Sequence, residues 1–183
     1  MPTDDDVRAA TSRWLERAVI GLNLCPFAKA VHAKGQVHFA VSTADSAAKV
    51  LEDLARELDA LVARDAQERD TTLLVVPRCL DLFLDFNDAV ARAERMIRKK
   101  GLEGVVQLAS FHPRYCFADA NEDDVTNFSN RSPYPTLHLL REASIDKAVR
   151  AFPNAEAIFG ANFETLRKLG VDGWAALDVG PTR

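Results

Sequence analysis

The middle of the chain alternates strand-like and helix-like segments, and this order most constrains the fold. Apolar residues alternate with polar or small ones at 36–42, which predicts a first strand, and a helix follows to about residue 64. The continuous apolar run at 71–76 is typical of a strand that is covered on both faces. A second helix around 86–97 leads to a third strand at 105–111. Helices that connect successive strands in this way predict three parallel strands with right-handed crossovers.

Further elements are expected on both sides of this core. Helices are predicted at 6–22, at 25–35, at 144–151 and at about 155–169. Residues 136–142 are compatible with a strand or a helix, and the strand is favoured because Ser144 resembles the N-cap of a following helix. The predicted fold class is therefore α/β, with a parallel three-strand core, a fourth strand, and extra N- and C-terminal helices.

Length and charge limit the class of protein. The 183 residues are enough for a single globular domain over 1–183, with loose ends at about 1–5 and 178–183. The net charge of −4 predicts no general attraction to nucleic acid or to anionic membranes. No apolar run approaches the roughly 20 residues that are needed to span a bilayer.

The cysteines and the N-terminus indicate a compartment. The acidic N-terminus lacks the apolar region of a signal peptide. Cys25, Cys79 and Cys116 are an odd number of cysteines at wide spacing, which does not fit a disulfide framework. We therefore expect a cytoplasmic protein with reduced thiols.

The long stretch at 112–135 has little regular pattern, and loops of this length inside a compact domain are often functional. In an open parallel sheet, ligands bind beyond the carboxyl ends of the strands. The predicted strands deliver the following polar or reactive side chains to that edge: Ser42, Thr43, Arg78, His112, Arg114 and Cys116.

The thiols and imidazoles are candidates for nucleophilic or acid–base chemistry. Cys25 precedes a proline that can begin a helix, and a helix N-terminus favours a thiolate; the alternative is a buried cysteine that acts as a small apolar residue. His112 and His138 are candidate proton carriers. The alternatives are a ring that ties the long loop in place, for His112, and a half-buried ring on the polar face of a strand, for His138.

The arginines are candidates for binding an anion, because guanidinium groups match carboxylates and phosphates. Arg78, Arg114, Arg131 and Arg141 flank the predicted edge, and the hydroxyl of Ser132 would add a donor. The alternative for each arginine alone is a surface charge or an ion pair with a nearby acid such as Glu142.

Two further readings of the same residues stay open. Cys25, His112, Cys116 and His138 have the chemistry of a zinc site, but their spacing matches no recognised ligand pattern, and metal binding is not the favoured interpretation. The edge could also recognise a peptide or another protein without catalysis. No phosphate loop, GxGxxG, GxSxG or HExxH sequence occurs, so the nature of any cofactor is open.

Three motifs carry a resemblance to a known family. They are GLNLCPFA at 21–28, LASFHPRYCF at 108–117 and NRSPYPTLHLLRE at 130–142. With these motifs, the chain resembles the domain-of-unknown-function 1415 family of uncharacterised, mostly bacterial proteins, over nearly its whole length. The family has no assigned activity, so the resemblance implies only a shared pocket built from the hallmark residues Cys25, His112, Cys116, Arg131, Ser132, Tyr134, His138, Arg141 and Glu142.

We therefore expect a small-molecule enzyme that acts on an anionic substrate, a carboxylate or a phosphate. The predicted catalytic residues are Cys25, His112, His138 and Cys116. The predicted substrate-binding residues are Arg78, Arg114, Arg131, Ser132, Tyr134, Arg141 and Glu142. A metal-binding or redox thiol protein and a non-catalytic binding module are the alternatives.

Overall fold

A mixed four-stranded sheet is the centre of the fold. The computed structural model describes residues 2–152, 154 and 157–181. The sheet has the order β1-β2-β4-β3, and its strands are β1 (Val37–Val41), β2 (Thr71–Val75), β3 (Val106–Phe111) and β4 (Thr136–Arg141). The α/β class and the predicted fourth strand are confirmed, and the helical alternative for 136–142 is wrong.

The predicted three-strand parallel core needs a correction. β1 and β2 pair in parallel, but β4 lies between β2 and β3 and is antiparallel to both. The central position goes to the more apolar strand, since Leu137 and Leu139 of β4 are fully buried while β3 is mostly half-buried. Because β2 and β3 both oppose β4, strands β1, β2 and β3 still run in the same direction. Their carboxyl ends share one edge of the sheet, which we call the carboxyl edge.

The helices largely follow the predicted order. The α-helices of the described residues are α1 (Asp4–Trp14), α2 (Ala28–Ala33), α3 (Ala47–Val62), α4 (Phe83–Lys99), α5 (Glu142–Ala151) and α6 (Ala157–Ala176). α1 continues as a π-helix over Leu15–Ile20, and a 3-10 helix occupies Val125–Asn130 inside the long loop. Within the described ranges, no helix combines the length and the apolar character of a transmembrane span.

Several helix ends differ from the sequence-based expectation. The helix predicted at 25–35 begins only at Ala28, so Cys25 does not lie at a helix N-terminus. α1 begins at Asp4 because Thr3 caps it: the Thr3 hydroxyl accepts a hydrogen bond from the Asp6 N–H at 3.2 Å, and the Asp6 carboxylate accepts one from the Thr3 N–H at 2.9 Å. Gly170, the predicted end of the last helix, interrupts α6 with a φ of 69°, but the helix resumes beyond it. The predicted start of that helix at 155, and part of the predicted loose ends, lie outside the described residues.

Different helices cover the two faces of the sheet. α3 and α4 bury their apolar stripes against the face that carries Leu74, Leu137 and Leu139, and burying each such leucine contributes about 1.5–3 kcal/mol. α1, the π-helix and the end of α6 cover the opposite face, where the rings of Trp14 and Phe111 meet at 5.1 Å between centroids. We call these the α3/α4 face and the α1 face.

Candidate active site

The carboxyl edge collects most of the predicted site residues. β4 begins where β2 and β3 end, so the long loop and the segment that leads into β4 lie at the same edge. The residues placed there are Ser42, Thr43, Arg78, His112, Arg114, Cys116, Arg131, Ser132 and Tyr134. A shared edge does not by itself bring side chains together. Some of these side chains have their polar groups occupied by hydrogen bonds within the protein, whereas others retain a group that could contact a ligand.

Asn127, which the sequence analysis did not single out, organises the long loop. Its side chain is fully buried, its Oδ1 accepts a hydrogen bond from the Phe117 N–H at 2.9 Å, and its Nδ2 donates to the Asn121 carbonyl at 2.8 Å. The same Nδ2 lies 3.9 Å from the Cys116 sulfur. Nothing in the local sequence distinguishes Asn127 from the other loop asparagines, because its partners come from a turn that only the folded loop forms.

Arg131 is held on one side and open on the other. Its Nε donates to the Tyr115 carbonyl at 3.2 Å and its Nη2 donates to the Glu122 carbonyl at 2.7 Å, while Cζ lies 4.7 Å from the ring centre of Phe128. Burial lowers the pKa of the guanidinium below its usual value, against the nearby Cys116 and acidic side chains, which raise it. Among the residues that the structure describes, Nη1 has no hydrogen-bond partner.

Cys116 directly follows Tyr115, whose carbonyl accepts from the Arg131 guanidinium. Its thiol contacts the carbonyls of Ala120 at 3.4 Å and Phe117 at 3.5 Å, in a half-buried position. The Asn127 amide lies 3.9 Å from the sulfur, and the Arg131 guanidinium is held at the carbonyl of the neighbouring Tyr115. The structure thus brings together one predicted thiol and one predicted anion-binding arginine.

His112 is anchored instead. The ring is fully buried between Phe83 and Phe86 of α4, at 5.3 and 5.1 Å between ring centroids. Its Nδ1 accepts from the Arg114 N–H at 3.0 Å, so Nε2 carries the proton that it donates to the Leu80 carbonyl at 3.0 Å. Burial lowers the pKa of His112. With both nitrogens occupied, this ring ties two loops together, which matches the alternative reading of the sequence.

Cys25 lies on the other side of the sheet from His112. It packs beside the apolar cluster of the α1 face that contains Trp14 and Leu15, whereas His112 contacts α4 on the α3/α4 face. The sequence expectation that Cys25 and His112 share one cavity is therefore not met. The π-helix and the turn at Asn23, which has a φ of 54°, deliver Cys25 to that apolar cluster.

His138 is at the centre of β4, on the α1 face. Its ring lies 6.0 Å from that of Phe111, and its Nε2 is 2.7 Å from the hydroxyl of Thr71. The Thr71 hydroxyl donates its single proton to the Leu139 carbonyl at 2.6 Å, so Nε2 must be the donor to Thr71 and Nδ1 keeps its lone pair. Burial lowers the pKa of His138 from 6.5 to about 4, which keeps the ring neutral near pH 7.

Arg141 and Glu142 lie at the opposite end of β4 from the carboxyl edge. The Arg141 guanidinium donates to the carbonyl of Leu61 in the last turn of α3 and to that of Arg64 just after it, at 2.7 Å each, and to that of Arg69 at 2.9 Å. Glu142 begins α5, and its N–H donates to the Val105 carbonyl at 3.0 Å. The structure therefore separates this pair from Cys116 and Arg131.

The remaining candidates at the carboxyl edge differ in how they are held. The buried Ser132 donates its hydroxyl to the Tyr134 carbonyl at 2.6 Å, and the Tyr134 ring packs with Val7 on the α1 face. Arg78 lies 4.0 Å from a carboxylate oxygen of Asp4 at the start of α1. Arg114 is exposed in the long loop.

Within the described residues, neither the arrangement of potential metal ligands nor the two cavities described below indicates a second site. No group of three or more histidine, cysteine or acidic side chains there is placed to hold a metal ion, so the four residues of the zinc hypothesis do not form such a group. Two polar cavities of about 170 and 160 Å³ lie along β1, beside Arg69 and Glu57. Both are smaller than the roughly 300 Å³ at which small-molecule pockets begin, and their charges are paired with one another.

A family profile matches most of the chain. The profile described as "Protein of unknown function (DUF1415)" matches residues 6–176. The chain belongs to the DUF1415 family. This match covers α1 through the end of α6, and thus includes the sheet, the long loop and both ends of β4. No curated protein and no solved structure matches this DUF1415 chain.

Proposed function

We propose that the protein is a small-molecule enzyme that acts on an anionic substrate, with Cys116 as the reactive thiol and Arg131 as the group that binds the anion. One observation carries this proposal: the half-buried Arg131 is hydrogen-bonded to the carbonyl of Tyr115, the residue before Cys116, in a loop at the carboxyl edge. Ligands of α/β proteins commonly bind at this edge of the sheet.

The arrangement of Arg131 supports binding of a carboxylate or a phosphate. Two of its N–H groups hold the loop backbone, which fixes the orientation of the guanidinium before a ligand arrives. Nη1 remains to donate hydrogen bonds to an anionic oxygen, and the partial burial of the group strengthens that attraction. A bound anion would place its neighbouring carbon near the thiol, which is the requirement for nucleophilic attack by sulfur.

The proposed compartment is the cytoplasm. Cys25, Cys79 and Cys116 are all free, and a reactive thiol stays reduced in a reducing compartment.

Alkylation with a charged and a neutral reagent tests the site directly. Iodoacetate and iodoacetamide both transfer a two-carbon group to a thiolate with loss of iodide, but only iodoacetate carries a carboxylate. We expect the ratio of the iodoacetate rate to the iodoacetamide rate to be on the order of tenfold higher at Cys116 than at Cys79, because the guanidinium attracts the anion. Peptide mass spectrometry gives both rates in the same sample.

Arginine variants decide whether Arg131 causes this preference. Arg131→Gln should remove most of it, Arg131→Lys should keep part of it, and the matched control Arg78→Gln at the same edge should leave it unchanged. Melting temperatures show whether the loop has loosened. An unchanged ratio in Arg131→Gln would contradict the proposal.

A turnover assay with carboxylates and phosphate esters then tests for catalysis, with Cys116→Ser as the control. If the preference for iodoacetate is retained but no turnover depends on Cys116, the non-catalytic binding module would be favoured.

A further inference from the structure

A row of aromatic rings begins at the two residues that flank Cys116. The rings of Tyr115 and Phe117 meet edge to face at 5.0 Å between centroids. Phe117 then contacts Phe159 at 5.8 Å and Phe163 at 5.9 Å, and these two α6 rings lie 4.4 Å apart. We call Tyr115, Phe117, Phe159 and Phe163 the aromatic row.

The row is partly open to solvent. Phe159 is 57% exposed, and the other three rings are half-buried. Burial raises the pKa of Tyr115, so its phenol is neutral near pH 7. Exposed apolar surface that is bordered by polar groups is typical of ligand-binding grooves.

The attachment of α6 to the long loop does not depend on the exposed end of the row. Leu166 of α6 is buried against Phe128 and Leu24, and Trp174 meets the Phe128 ring at 5.1 Å. Asn162 donates to the Leu24 carbonyl at 2.9 Å. These contacts hold the helix at residues that follow Phe159 in the chain, so we do not expect docking to depend on that exposed ring.

The backbone connects the row to the anion-binding group. The Tyr115 carbonyl accepts from Nε of Arg131, and the Phe117 N–H donates to Asn127, whose amide faces the Cys116 sulfur. The guanidinium and the aromatic row are therefore both attached to the backbone of the residues that flank Cys116.

We propose that the substrate is an aromatic acid, whose carboxylate contacts Arg131 while its ring packs on the aromatic row. This inference rests on the proposed function and names its substrate class. Positive charge next to aromatic faces is complementary to a molecule with an anionic end and an aryl body. An aryl ring gains edge-to-face contacts from the row that a saturated ring of the same size does not.

Protection of Cys116 against alkylation by iodoacetamide tests the inference with defined probes. Acetate, cyclohexylacetate and phenylacetate share one carboxylate and differ in the attached group. We expect half-protection by phenylacetate at about one-tenth of the acetate concentration or less, with cyclohexylacetate between them. Phe159→Ala should raise the phenylacetate concentration severalfold and leave the acetate value unchanged.

Two variants serve as controls for Phe159→Ala. Leu82→Ala removes a similarly exposed apolar side chain, 58% exposed, from the start of α4 and should change neither value. Phe159→Leu keeps apolar area without an aromatic face and should retain cyclohexylacetate protection but lose the preference for phenylacetate.

The outcomes separate this inference from the proposed function. Equal protection by acetate and phenylacetate, with both values raised in Arg131→Gln, would overturn the aromatic-acid inference and leave the anion site standing. Protection by phenylacetate that is indifferent to Phe159→Ala would also overturn it. Absence of protection by every carboxylate, together with an unchanged alkylation ratio in Arg131→Gln, would overturn both.

Discussion

The two ends of β4 carry two arginines of the same motif with opposite surroundings. Arg141, the last residue of the strand, donates to three backbone carbonyls. Arg131, five residues before the strand, donates to two carbonyls, and its Nη1 has no partner in the part of the chain that the structure describes. The presence of an arginine in this motif therefore does not by itself indicate ligand binding. The N–H groups that remain without a partner after folding determine whether it can bind a ligand.

The two arginines differ because the backbone around each one offers different carbonyl groups as hydrogen-bond acceptors. The last carbonyls of a helix have no partner within the helix, and Arg141 binds that of Leu61 at the end of α3 together with those of Arg64 and Arg69 in the segment that follows. The long loop presents Arg131 with two carbonyls, those of Tyr115 and Glu122, and the Glu122 carbonyl also accepts from the Asn127 amide at 3.5 Å. One end of β4 is thus an anchor, and the other retains the capacity to bind.

Replacing each arginine by alanine should give the largest contrast. Arg141→Ala leaves three carbonyls without their donor and should lower the free energy of unfolding by about 3 kcal/mol. Arg131→Ala should lower it by about 1 kcal/mol, because fewer backbone groups lose a partner. Urea unfolding gives both values. Equal losses, or a change in the alkylation ratio of Cys116 in Arg141→Ala, would remove the distinction between the two ends.

His138, midway along β4, makes the strand sensitive to acid. The unfolded chain protonates this ring below its ordinary pKa of 6.5, whereas the folded chain does so only near about 4, so the unfolded state binds more protons between these values. Stability is therefore complete above pH 6.5 and is lost as the pH falls towards 4. We expect a loss of about 2 kcal/mol, because partial exposure of the ring reduces the full effect.

Unfolding experiments at a series of pH values test this window. His138→Gln should flatten the decline between pH 6.5 and 4, and His32→Gln, which removes a more peripheral ring bonded to Glu16, should leave it in place. Persistence of the whole decline in His138→Gln would show that other groups cause it, and His112, whose pKa burial also lowers, would be the next candidate.

The sequence predicted the positions of the strands better than their order in the sheet. Periodicity located every strand of the described sheet, because it reflects burial along one element. It did not reveal that β4 enters between β2 and β3, since strand order depends on which apolar surfaces compete for the central position. The common direction of β1, β2 and β3 survived this error, and with it the prediction that reactive groups gather at the carboxyl edge.

Side-chain roles were the least predictable part. The predicted pairing of Cys25 with His112 failed because the two residues lie on opposite faces of the sheet. The number of residues between two positions does not indicate which face of the sheet each one occupies. His112 followed its alternative reading, a ring that ties loops together. Cys116 and Arg131 were both predicted as site residues, but their proximity depends on a turn held by Asn127, which has no local sequence signature.

Substitution of Cys25 should have the smallest effect on stability, and it can be compared directly with the substitution of Cys116. Its side chain packs beside the apolar cluster of the α1 face, so Cys25→Ala should cost about 1 kcal/mol of unfolding free energy through lost packing. The ratio of iodoacetate to iodoacetamide rates at Cys116 should stay at the wild-type value. Cys116→Ala should show the reverse, with little change in stability and loss of any turnover. If Cys25→Ala abolished turnover while the fold stayed intact, the reactive thiol would be Cys25 on the α1 face, the face that also carries His138 with its unprotonated Nδ1.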